Sequence, residues 1–315
     1  MIKESTGYLP EDRISLGNGQ LFYRLFETNS KRAKGTILIL HGMKEHSGRY
    51  IEFARYLCEH GYNVLCYDHL GHGHTAANHN QLGYIPSKMP ALQLVNDAEY
   101  MFLHLKMRYP KLPHYAIGHS MGSFILRLLL QRVEDCLDGA VIVGTGGRNP
   151  AAVLGKGLIG IMNRMSPQKR SKFVNVSFDK MNNSKFKNEP GASDTSWLSL
   201  NKENRDAFDA DELCGVPFSN NGFYALLTLN INATKKGWTH PIHKTLPLFF
   251  VSGGDDPIGN FGKGIKKTVD CLKDNGFVDV SMKLYDGMRH EILNEDIRQE
   301  VYNDILNWLN EHQKY

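Results

Sequence analysis

Short apolar runs recur along the chain, and most of them end in glycine or aspartate. Between these runs lie segments whose apolar residues return every three or four positions, which is the period of a helix with one buried face. A strand that is apolar throughout is buried on both faces, as in a parallel sheet covered by helices. The pattern therefore predicts an α/β fold with a mostly parallel, doubly covered sheet. Its predicted strands are GTILILHG, YNVLCYDHLGHG, HYAIGHS, GAVIVGTG, LPLFFVSGG and VSMKLYDG.

Helical patterns separate these predicted strands. The segment SGRYIEFARYLCEHG follows the first strand, and FILRLLLQRV follows the third. Between the second and third strands, apolar positions with helical spacing run over 94–109, and Pro110 ends that helix. The last helix is predicted over 297–309. Ahead of the first of these strands, RISLGNGQLFYRLFE predicts a hairpin that turns at Asn18-Gly19.

The alternation of strand and helix stops between Thr145 and about Pro241. This stretch begins with Asn149-Pro150, a pair typical of a helix start. Because a loop of such length without secondary structure is uncommon in a compact domain, we predict a mainly helical cap over the carboxyl edge of the sheet. The predicted organisation is a first part of the core over 1–146, the cap over 147–240 and a second part of the core over 241–315.

The first cap helix carries an apolar stripe. We expect the stripe to pack into the cap's own core, and contact with the substrate is the alternative. The Lys- and Arg-rich stretch 164–188 is interpreted as a solvated face rather than a patch for an anionic membrane. The stripe consists of Leu154, Leu158, Ile161, Met162 and Met165.

Composition narrows the class of protein. The chain has 315 residues, of which 41% are hydrophobic and 22% charged, as in soluble globular proteins. A net charge of +4 is too small at this length to indicate nucleic acid as a partner. The 5 cysteines form no C-x-x-C pair, so no disulfide framework is expected. The N-terminus lacks a signal-peptide pattern and no long apolar run occurs, so we expect a cytoplasmic protein that is at most peripheral at membranes.

Candidate chemistry begins at Gly118-His119-Ser120-Met121-Gly122, which fits the pattern G-x-S-x-G. The pattern lies where a predicted strand turns directly into a predicted helix, and the two glycines leave room for a strained turn. Such a turn lifts a serine hydroxyl above the edge of the sheet. A serine hydroxyl is a weak nucleophile, so it needs a neighbouring base that an acid holds in one tautomer. The sequence therefore predicts Ser120 as a nucleophile.

An acid and a base follow Ser120 at the ends of two later strands. LPLFFVSGG runs into Asp255-Asp256-Pro257, and VSMKLYDG leads to His290. The order Ser, Asp, His is the order of this kind of strand-turn-helix nucleophile. Asp256 is preferred as the acid because Pro257 fixes the chain just after it, while Asp255 and Asp286 stay open as alternatives.

Attack by serine places negative charge on the substrate's carbonyl oxygen, and two backbone N–H groups must point at it. One is predicted to come from Met121, the residue after the nucleophile. The other is predicted to come from Met43, in the loop that follows GTILILHG. Only the backbone N–H matters at these positions, and no metal and no organic cofactor is expected.

Three segments resemble the α/β-hydrolases, and within them the monoacylglycerol lipase and lysophospholipase branch. They are HGMKEHSGRY over 41–50, YDHLGHGH over 67–74 and GHSMG over 118–122, with Ser123 where the family often has a third glycine. Asp256 and His290 fall on the family's acid and base positions. The resemblance implies an α/β-hydrolase fold and a serine hydrolase that cleaves a carboxylic ester through an acyl-enzyme, with a monoacylglycerol or a lysolipid as substrate.

The cap resembles the family much less. Trp197-Leu198-Ser199 and the segment 211–215 look like bacterial lysophospholipase-like members. Because caps set substrate choice in this family, the head group stays open, and transient contact of the cap with a membrane or micelle surface is expected.

Three alternatives to a lipase stay open. An aminopeptidase or amidase of the same fold would need a cap acid for the free amino group, and Glu203 or Asp206 could serve. A catalytically silent binding protein could use the same fold, since fold alone does not establish function. A metal site is the least supported alternative, because the candidate ligands are irregularly spaced. They are His69, His72, His74 and His79, with Asp68.

Overall fold

A single eight-stranded sheet organises the structure, a computed structural model that describes residues 2–9 and 20–313. The strands lie side by side in the order β1-β2-β4-β3-β5-β6-β7-β8. From β3 onward all pairs are parallel, whereas β2 runs antiparallel to both β1 and β4. The strands are β1 Lys3–Leu9, β2 Leu21–Glu27, β3 Gly35–Leu40, β4 Tyr62–Tyr67, β5 His114–His119, β6 Gly139–Val143, β7 Leu248–Gly253 and β8 Val280–Tyr285.

Helices cover both faces of this sheet. Side chains of α2, α3 and α8 share one buried apolar cluster, and those of α1 and α9 share another on the opposite face. Strands β3 to β7 are buried at every position, as their continuous apolar sequences predict. The predicted α/β class and mostly parallel sheet are confirmed. The helices are α1 Ile51–Glu59, α2 Pro90–Arg108, α3 Met121–Val133, α4 Pro150–Met165, α5 Lys172–Asn182, α6 Lys202–Ala210, α7 Asn220–Thr234, α8 Lys263–Asp274 and α9 Arg298–Glu311.

The antiparallel edge differs from the sequence expectation. Strand β1 has the largely polar and exposed sequence KESTGYL, and no strand was predicted there. It pairs with β2 so that Leu9 lies opposite Leu21. The predicted turn at Asn18-Gly19 lies outside the described residues. Strand β1 forms because it pairs with the apolar strand β2, and not because of its own pattern of apolar and polar residues.

Helices α4 to α7 lie between β6 and β7, in the stretch predicted as a cap. Helix α7 places Phe223, Ala225 and Leu229 in the apolar cluster shared with α2 and α3. This packing fastens one side of the cap segment to the helices that cover the sheet. The boundaries at 147 and 240 stay a prediction.

The expected burial of the α4 stripe is wrong for most of its residues. Leu154 is 81% exposed and Met165 is 78% exposed, and only Met162 contacts the core. Helix α4 is apolar on two faces, and the face of Ala152 and Ile159 is the buried one. Periodicity identifies residues that share a face, but it does not tell which of two apolar faces is covered. The exposed members of the stripe are Leu154, Leu158, Ile161 and Met165.

Among the described residues, no helix combines the length and the apolar character needed to cross a membrane. Helix α4 packs against α7 on one side, and its other apolar face is exposed.

Close packing at the start of α3 generates the first testable prediction. A Cβ added at Gly122 would lie 2.2 Å from the carbonyl oxygen of Leu40 in β3. Since that oxygen belongs to the backbone of the central sheet, Gly122→Ala should lower the free energy of unfolding by about 2–4 kcal/mol. Urea-induced unfolding followed by circular dichroism measures this change.

Gly157→Ala is the matched control, because Gly157 is also helical and an added Cβ there would meet no atom within 4 Å. This variant should gain about 0.5–1 kcal/mol from the higher helix propensity of alanine. Equal effects of the two substitutions would contradict the packing argument.

Candidate active site

The candidate nucleophile lies in a strained turn between β5 and α3. Ser120 has φ 52° and ψ −119°, a backbone conformation that a residue with a side chain rarely adopts. The turn is possible because the chain approaches itself closely: a Cβ at Gly118 would lie 2.6 Å from the carbonyl oxygen of Gly122. Two hydrogen bonds hold it, from the Ser120 N–H to the Val143 oxygen (3.0 Å) and from the Ser123 hydroxyl to the Ser120 oxygen (2.5 Å). The predicted strand-turn-helix context is present.

The structure brings the three predicted catalytic side chains together. Ser120 Oγ lies 2.8 Å from Nε2 of His290, and Nδ1 of His290 lies 3.0 Å from Oδ2 of Asp256. All three residues are buried. Asp256 is held in turn by the Ser252 hydroxyl at 2.9 Å and by the N–H of Ile258 at 2.8 Å. This is the geometry of a nucleophile, a base and an orienting acid.

The choice between neighbouring acids follows from the same contacts. Asp255 and Asp286 are both exposed, whereas Asp256 is fully buried beside His290. Burial acts to raise the pKa of Asp256, but the charge and the hydrogen bond of His290 outweigh it, so the pKa lies below its ordinary value. The carboxylate is therefore ionised near neutral pH. It favours a proton on Nδ1 of His290 and leaves Nε2 free to accept the proton of the serine hydroxyl.

The two predicted oxyanion donors flank Ser120. Met121 is the first residue of α3, where an N–H has no partner inside the helix. Met43 follows Gly42, and a Cβ added at Gly42 would lie 3.0 Å from the Cβ of Ser120. Within the described part of the chain, the Met43 N–H makes no hydrogen bond to another backbone group. Both N–H groups are thus available beside the nucleophile, and their role stays a prediction.

A buried carboxylate that the sequence analysis did not single out fixes the oxyanion loop. Glu45 accepts hydrogen bonds from the Gly42 N–H (2.5 Å) and the Tyr50 hydroxyl (2.8 Å), and it lies 3.2 Å from Nδ1 of His119. Burial acts to raise the pKa of Glu45, but His119 and Arg49 lower it below its usual range. Burial acts to lower the pKa of His119, and Glu45 raises it above its ordinary value. Glu45 thereby ties the loop to the residue before Ser120.

Arg49 joins the same loop to two other segments, through an ion pair with Glu291 and a hydrogen bond to α6. Arg49 forms a bidentate pair with Glu291, the residue after His290, and it donates to Asn204 of α6 at 2.7 Å. Asn204 in turn donates to Glu291 at 2.8 Å. The only sequence signals for these residues were the charged positions of HGMKEHSGRY and the acid next to His290. Their pairing joins segments far apart in sequence, so spacing could not reveal it.

Residues of the stretch between β6 and β7 line a cavity of about 240 Å³ over Ser120. The Trp197 ring lies 5.0 Å from the ring of His290, and Phe178, Leu198 and Phe208 add apolar walls. Acids also line the cavity, and one of them pairs with Lys44 at 3.3 Å. Three acids of this stretch line the cavity: Asp179, Asp194 and Asp209. Asp179 is the one that pairs with Lys44.

The acids that an aminopeptidase was expected to use do not line this cavity. Glu203 and Asp206 lie elsewhere on α6, and Asp206 pairs with Lys202 at an exposed position. The observed candidates for an amine are therefore Asp194 and Asp209.

The histidine-rich segment contacts the loop that leads to Met43. Nε2 of His41 accepts the N–H of His69 at 2.9 Å, and Nδ1 of His41 lies 2.7 Å from the Gly42 oxygen. Burial lowers the pKa of His69 to about 3 and that of His72 to about 4. His74 is exposed and points away from this group. Among the described residues, the one three-residue group with metal-ligand spacing is His46, Asp211 and Cys214, whose ligand atoms lie within 4.8 Å of one another.

The chain resembles known proteins in sequence and in fold. The profile of the Hydrolase_4 family, described as serine aminopeptidase, S33, matches residues 31–297. A monoglyceride lipase of Homo sapiens is 25% identical over 312 residues, which cover 98% of this chain and 93% of the relative. A thermostable carboxyl esterase of Bacillus coagulans superposes with a TM-score of 0.88 at 24% identity, covering 98% of both chains. A soluble variant of the monoglyceride lipase of Saccharomyces cerevisiae, in complex with a substrate analog, gives 0.77 at 19% identity, covering 98% of this chain and 96% of that one.

The buried histidines generate a prediction of acid lability. An unfolded histidine titrates near 6.5, whereas His69 and His72 bind a proton in the folded state only near 3 and 4. Between these values the unfolded chain binds more protons, so the free energy of unfolding should fall as the pH falls from about 6.5 toward 4. The loss should be on the order of 3 kcal/mol per histidine. Urea unfolding at successive pH values measures it.

His72→Gln should flatten this pH dependence, because one of the two titrating groups is gone. His79→Gln is the matched control at an exposed position, and it should leave the slope unchanged. A slope that is the same in wild type and His72→Gln would contradict the assignment.

Proposed function

The chain belongs to the Hydrolase_4 (serine aminopeptidase, S33) family, and from this premise we propose that it hydrolyses the single acyl ester bond of monoacylglycerols with Ser120 as nucleophile. The observation that carries the proposal is the hydrogen-bonded series from Ser120 through His290 to Asp256 under an apolar cap wall. The broader prediction, a carboxylic ester hydrolase with the α/β-hydrolase fold, is confirmed.

Acylation follows from the contacts of Ser120. As Oγ attacks the ester carbonyl carbon, Nε2 of His290 takes the hydroxyl proton, and Asp256 stabilises the imidazolium that forms. The N–H groups of Met43 and Met121 donate to the oxyanion of the tetrahedral intermediate. When this intermediate collapses, the bond to the alcohol oxygen breaks. His290 gives its proton to that oxygen, so glycerol leaves and an acyl-enzyme remains.

Deacylation uses the same groups in reverse order. His290 removes a proton from water, whose oxygen attacks the acyl carbon under the same two N–H donors. The bond between the acyl carbon and Ser120 Oγ then breaks, and His290 returns its proton to Oγ. The fatty acid leaves and the free enzyme is restored. Each cycle therefore consumes one ester and one water and releases glycerol and a fatty acid.

The charges around the cavity favour a neutral head group. Asp179, Asp194 and Asp209 line the cavity over Ser120, and Lys44 is the only lysine among its described lining residues. A phosphate head group would meet these carboxylates, whereas the hydroxyls of glycerol can donate hydrogen bonds to them. The charge pattern therefore favours monoacylglycerols over lysophospholipids.

The same acids favour a second candidate, an aminopeptidase. A free amino terminus carries a positive charge, and Asp194 or Asp209 could hold it near Ser120. The family description also names this activity. The apolar walls formed by Phe178, Trp197 and Phe208 favour an acyl chain instead. A peptide's polar backbone groups would find no hydrogen-bond partners on these rings, so their burial there would cost free energy.

A substrate panel tests the two candidates. Initial rates should be highest on a monoacylglycerol, lower on a lysophosphatidylcholine of the same chain length and lowest on an aminoacyl arylamide. The cavity carboxylates disfavour the phosphate, and the apolar walls disfavour the peptide-like arylamide. Faster cleavage of the arylamide than of the monoacylglycerol would replace the lipase assignment with the aminopeptidase one. A fluorophosphonate probe should label Ser120, and an enzyme that stays unlabelled and inactive on every substrate would be a silent binding protein.

Site variants give the controls for this panel. Ser120→Ala should lower kcat about 10⁴–10⁶-fold, and Asp256→Asn about 10⁴-fold, because the variants remove the nucleophile and the preferred tautomer of His290. Asp255→Asn is the matched control for the acid and should change kcat less than about twofold, since its side chain is exposed. Substantial activity in Ser120→Ala would exclude the proposed mechanism.

We propose further that the exposed stripe of α4 brings the cap into transient contact with lipid surfaces. Leu154, Leu158, Ile161 and Met165 repeat at helical spacing on one exposed face. An apolar face of this kind gains free energy on entering the interfacial region of a bilayer, about 1.5–3 kcal/mol for a fully buried leucine. Arg164, Lys169 and Lys172 are exposed close by in sequence. In this proposal they face anionic lipid, which replaces the interpretation of that part of 164–188 as only a solvated face.

Vesicle co-sedimentation tests this contact. The double variant Leu154→Ser with Leu158→Ser should reduce binding to anionic vesicles at least about tenfold, because two apolar anchors are lost. It should retain its kcat on a short, soluble ester, since neither residue lines the catalytic cavity. Val278→Ser, at another exposed apolar residue, is the control and should bind as wild type. Unchanged binding of the double variant would refute the contact.

A further inference from the structure

A second cavity, of about 860 Å³, lies behind the loop that carries Asp256. Its walls come from α3, the start of α4, the end of α7 and the connection between β7 and α8. Among the described residues, none lines both this cavity and the one over Ser120. The second cavity is therefore a separate site, to which the proposed hydrolysis assigns no role.

The charge of this cavity has one sign. Its lining includes several lysines and arginines but no Asp or Glu. The rim residues are exposed, and within the described part of the chain none of them forms a salt bridge. Positive charge that is collected in a concave site without counter-charges raises the local concentration of anions. The basic residues are Arg127 in the interior and Arg148, Lys235, Lys236 and Lys267 at the rim.

The interior arginine is the feature that points to a ligand. Arg127 is only 1% exposed, and its guanidinium stacks on the Trp238 ring at 4.2 Å. Nη1 donates to the Gly146 oxygen at 3.0 Å, while the buried Nε has no hydrogen-bond acceptor. Burial lowers the pKa of Arg127 to about 9 because no carboxylate lies beside it. A buried charge without a counter-charge is costly for the protein, and an anion in the cavity would remove this cost.

Further donors favour a doubly charged anion over a carboxylate. The side chain of Asn149 lines the cavity, and its amide nitrogen can donate there because only its oxygen is used, as acceptor from the Ala151 N–H at 3.0 Å. Gly264 places the first turn of α8 at the same wall, where the helix dipole is positive. Arginine binds phosphate through two parallel N–H bonds, and several nearby cations together suit a charge near −2. A cavity of this volume accommodates a phosphate with a small organic group attached.

We propose that this cavity binds a phosphate monoester, with the guanidinium of Arg127 at its centre and the lysines of the rim around it. The phosphate can belong to a small soluble metabolite or to the head group of a phospholipid, since both present the same monoester chemistry. The site differs in charge from the catalytic cavity, which is lined by acids and disfavours phosphate.

Calorimetric titration of the full chain with glycerol 3-phosphate tests the proposal. Saturable binding with one site per chain is expected. Arg127→Met should weaken it at least about tenfold, because a charge-assisted bidentate contact is lost. The thermal midpoint of unliganded Arg127→Met should equal or exceed that of wild type, since an apolar side chain of similar length replaces an unpaired charge. If Arg127 were purely structural, Arg127→Met would lower the thermal midpoint, and wild type would not bind glycerol 3-phosphate.

Rim variants keep the test decisive if Arg127→Met does not fold. Lys236→Glu should weaken binding several-fold, because it reverses a charge at the rim. Lys111→Glu is the control: it makes the same charge change at an exposed residue before the amino end of β5, outside the cavity lining, and should leave binding unchanged. In wild type, glycerol 3-phosphate should also slow alkylation of Cys271, an exposed cysteine that lines the cavity.

The ligand's source is decided by competition. Vesicles that contain phosphatidic acid should displace glycerol 3-phosphate if the head group of a lipid can enter, and they should fail to do so if only a soluble ester fits. Both results support a phosphate monoester site. Absence of saturable binding, unchanged affinity in Arg127→Met or in Lys236→Glu, or tighter binding of octanoate than of glycerol 3-phosphate would overturn the proposal.

Discussion

The backbone conformation of Ser120 is the constraint on which the rest of the structure depends. A positive φ at a residue with a side chain costs on the order of 1–3 kcal/mol, so the surroundings must hold it in place. Here the start of α3 packs so closely on β3 that Gly122 has no room for a Cβ beside the Leu40 oxygen. The hydroxyl of Ser123 adds a hydrogen bond to the Ser120 oxygen. The strain at the nucleophile is thus offset by the packing of the central sheet.

Buried charges extend this order from Ser120 to the oxyanion loop and the cap. Glu45 joins Gly42 to His119, and Arg49 joins the same loop to Glu291, the residue after His290. A buried ion pair contributes little net stability, but removing one partner leaves an uncompensated charge and is costly. The arrangement therefore specifies one geometry of the loop and of His290 more than it stabilises the fold. Arg127 stands apart, because its charge is buried and no carboxylate of the described chain compensates it.

Sequence patterns were sufficient where a single physical cause decides the structure. Strands β3 to β7 are apolar throughout because both faces are buried, and Ser120, Asp256 and His290 follow strands that end at one edge of the sheet. Strand β1 could not be predicted, since its order comes from pairing with β2. The contact between Arg49 and Glu291 was equally out of reach, because it depends on how two distant loops meet. The burial of the α4 stripe was predicted wrongly because that helix has two apolar faces.

The contacts of the cap differ in kind from one side to the other. Helix α7 is fastened by apolar burial of Ala225 and Leu229, whereas the opposite side meets the oxyanion loop through the polar pairs of Lys44 with Asp179 and Arg49 with Asn204. Water can replace a polar contact at small net cost, but it cannot replace buried apolar area. The polar side is therefore the weaker attachment of this segment, and loss of its contacts would leave the packing that holds Ser120 in its strained turn undisturbed.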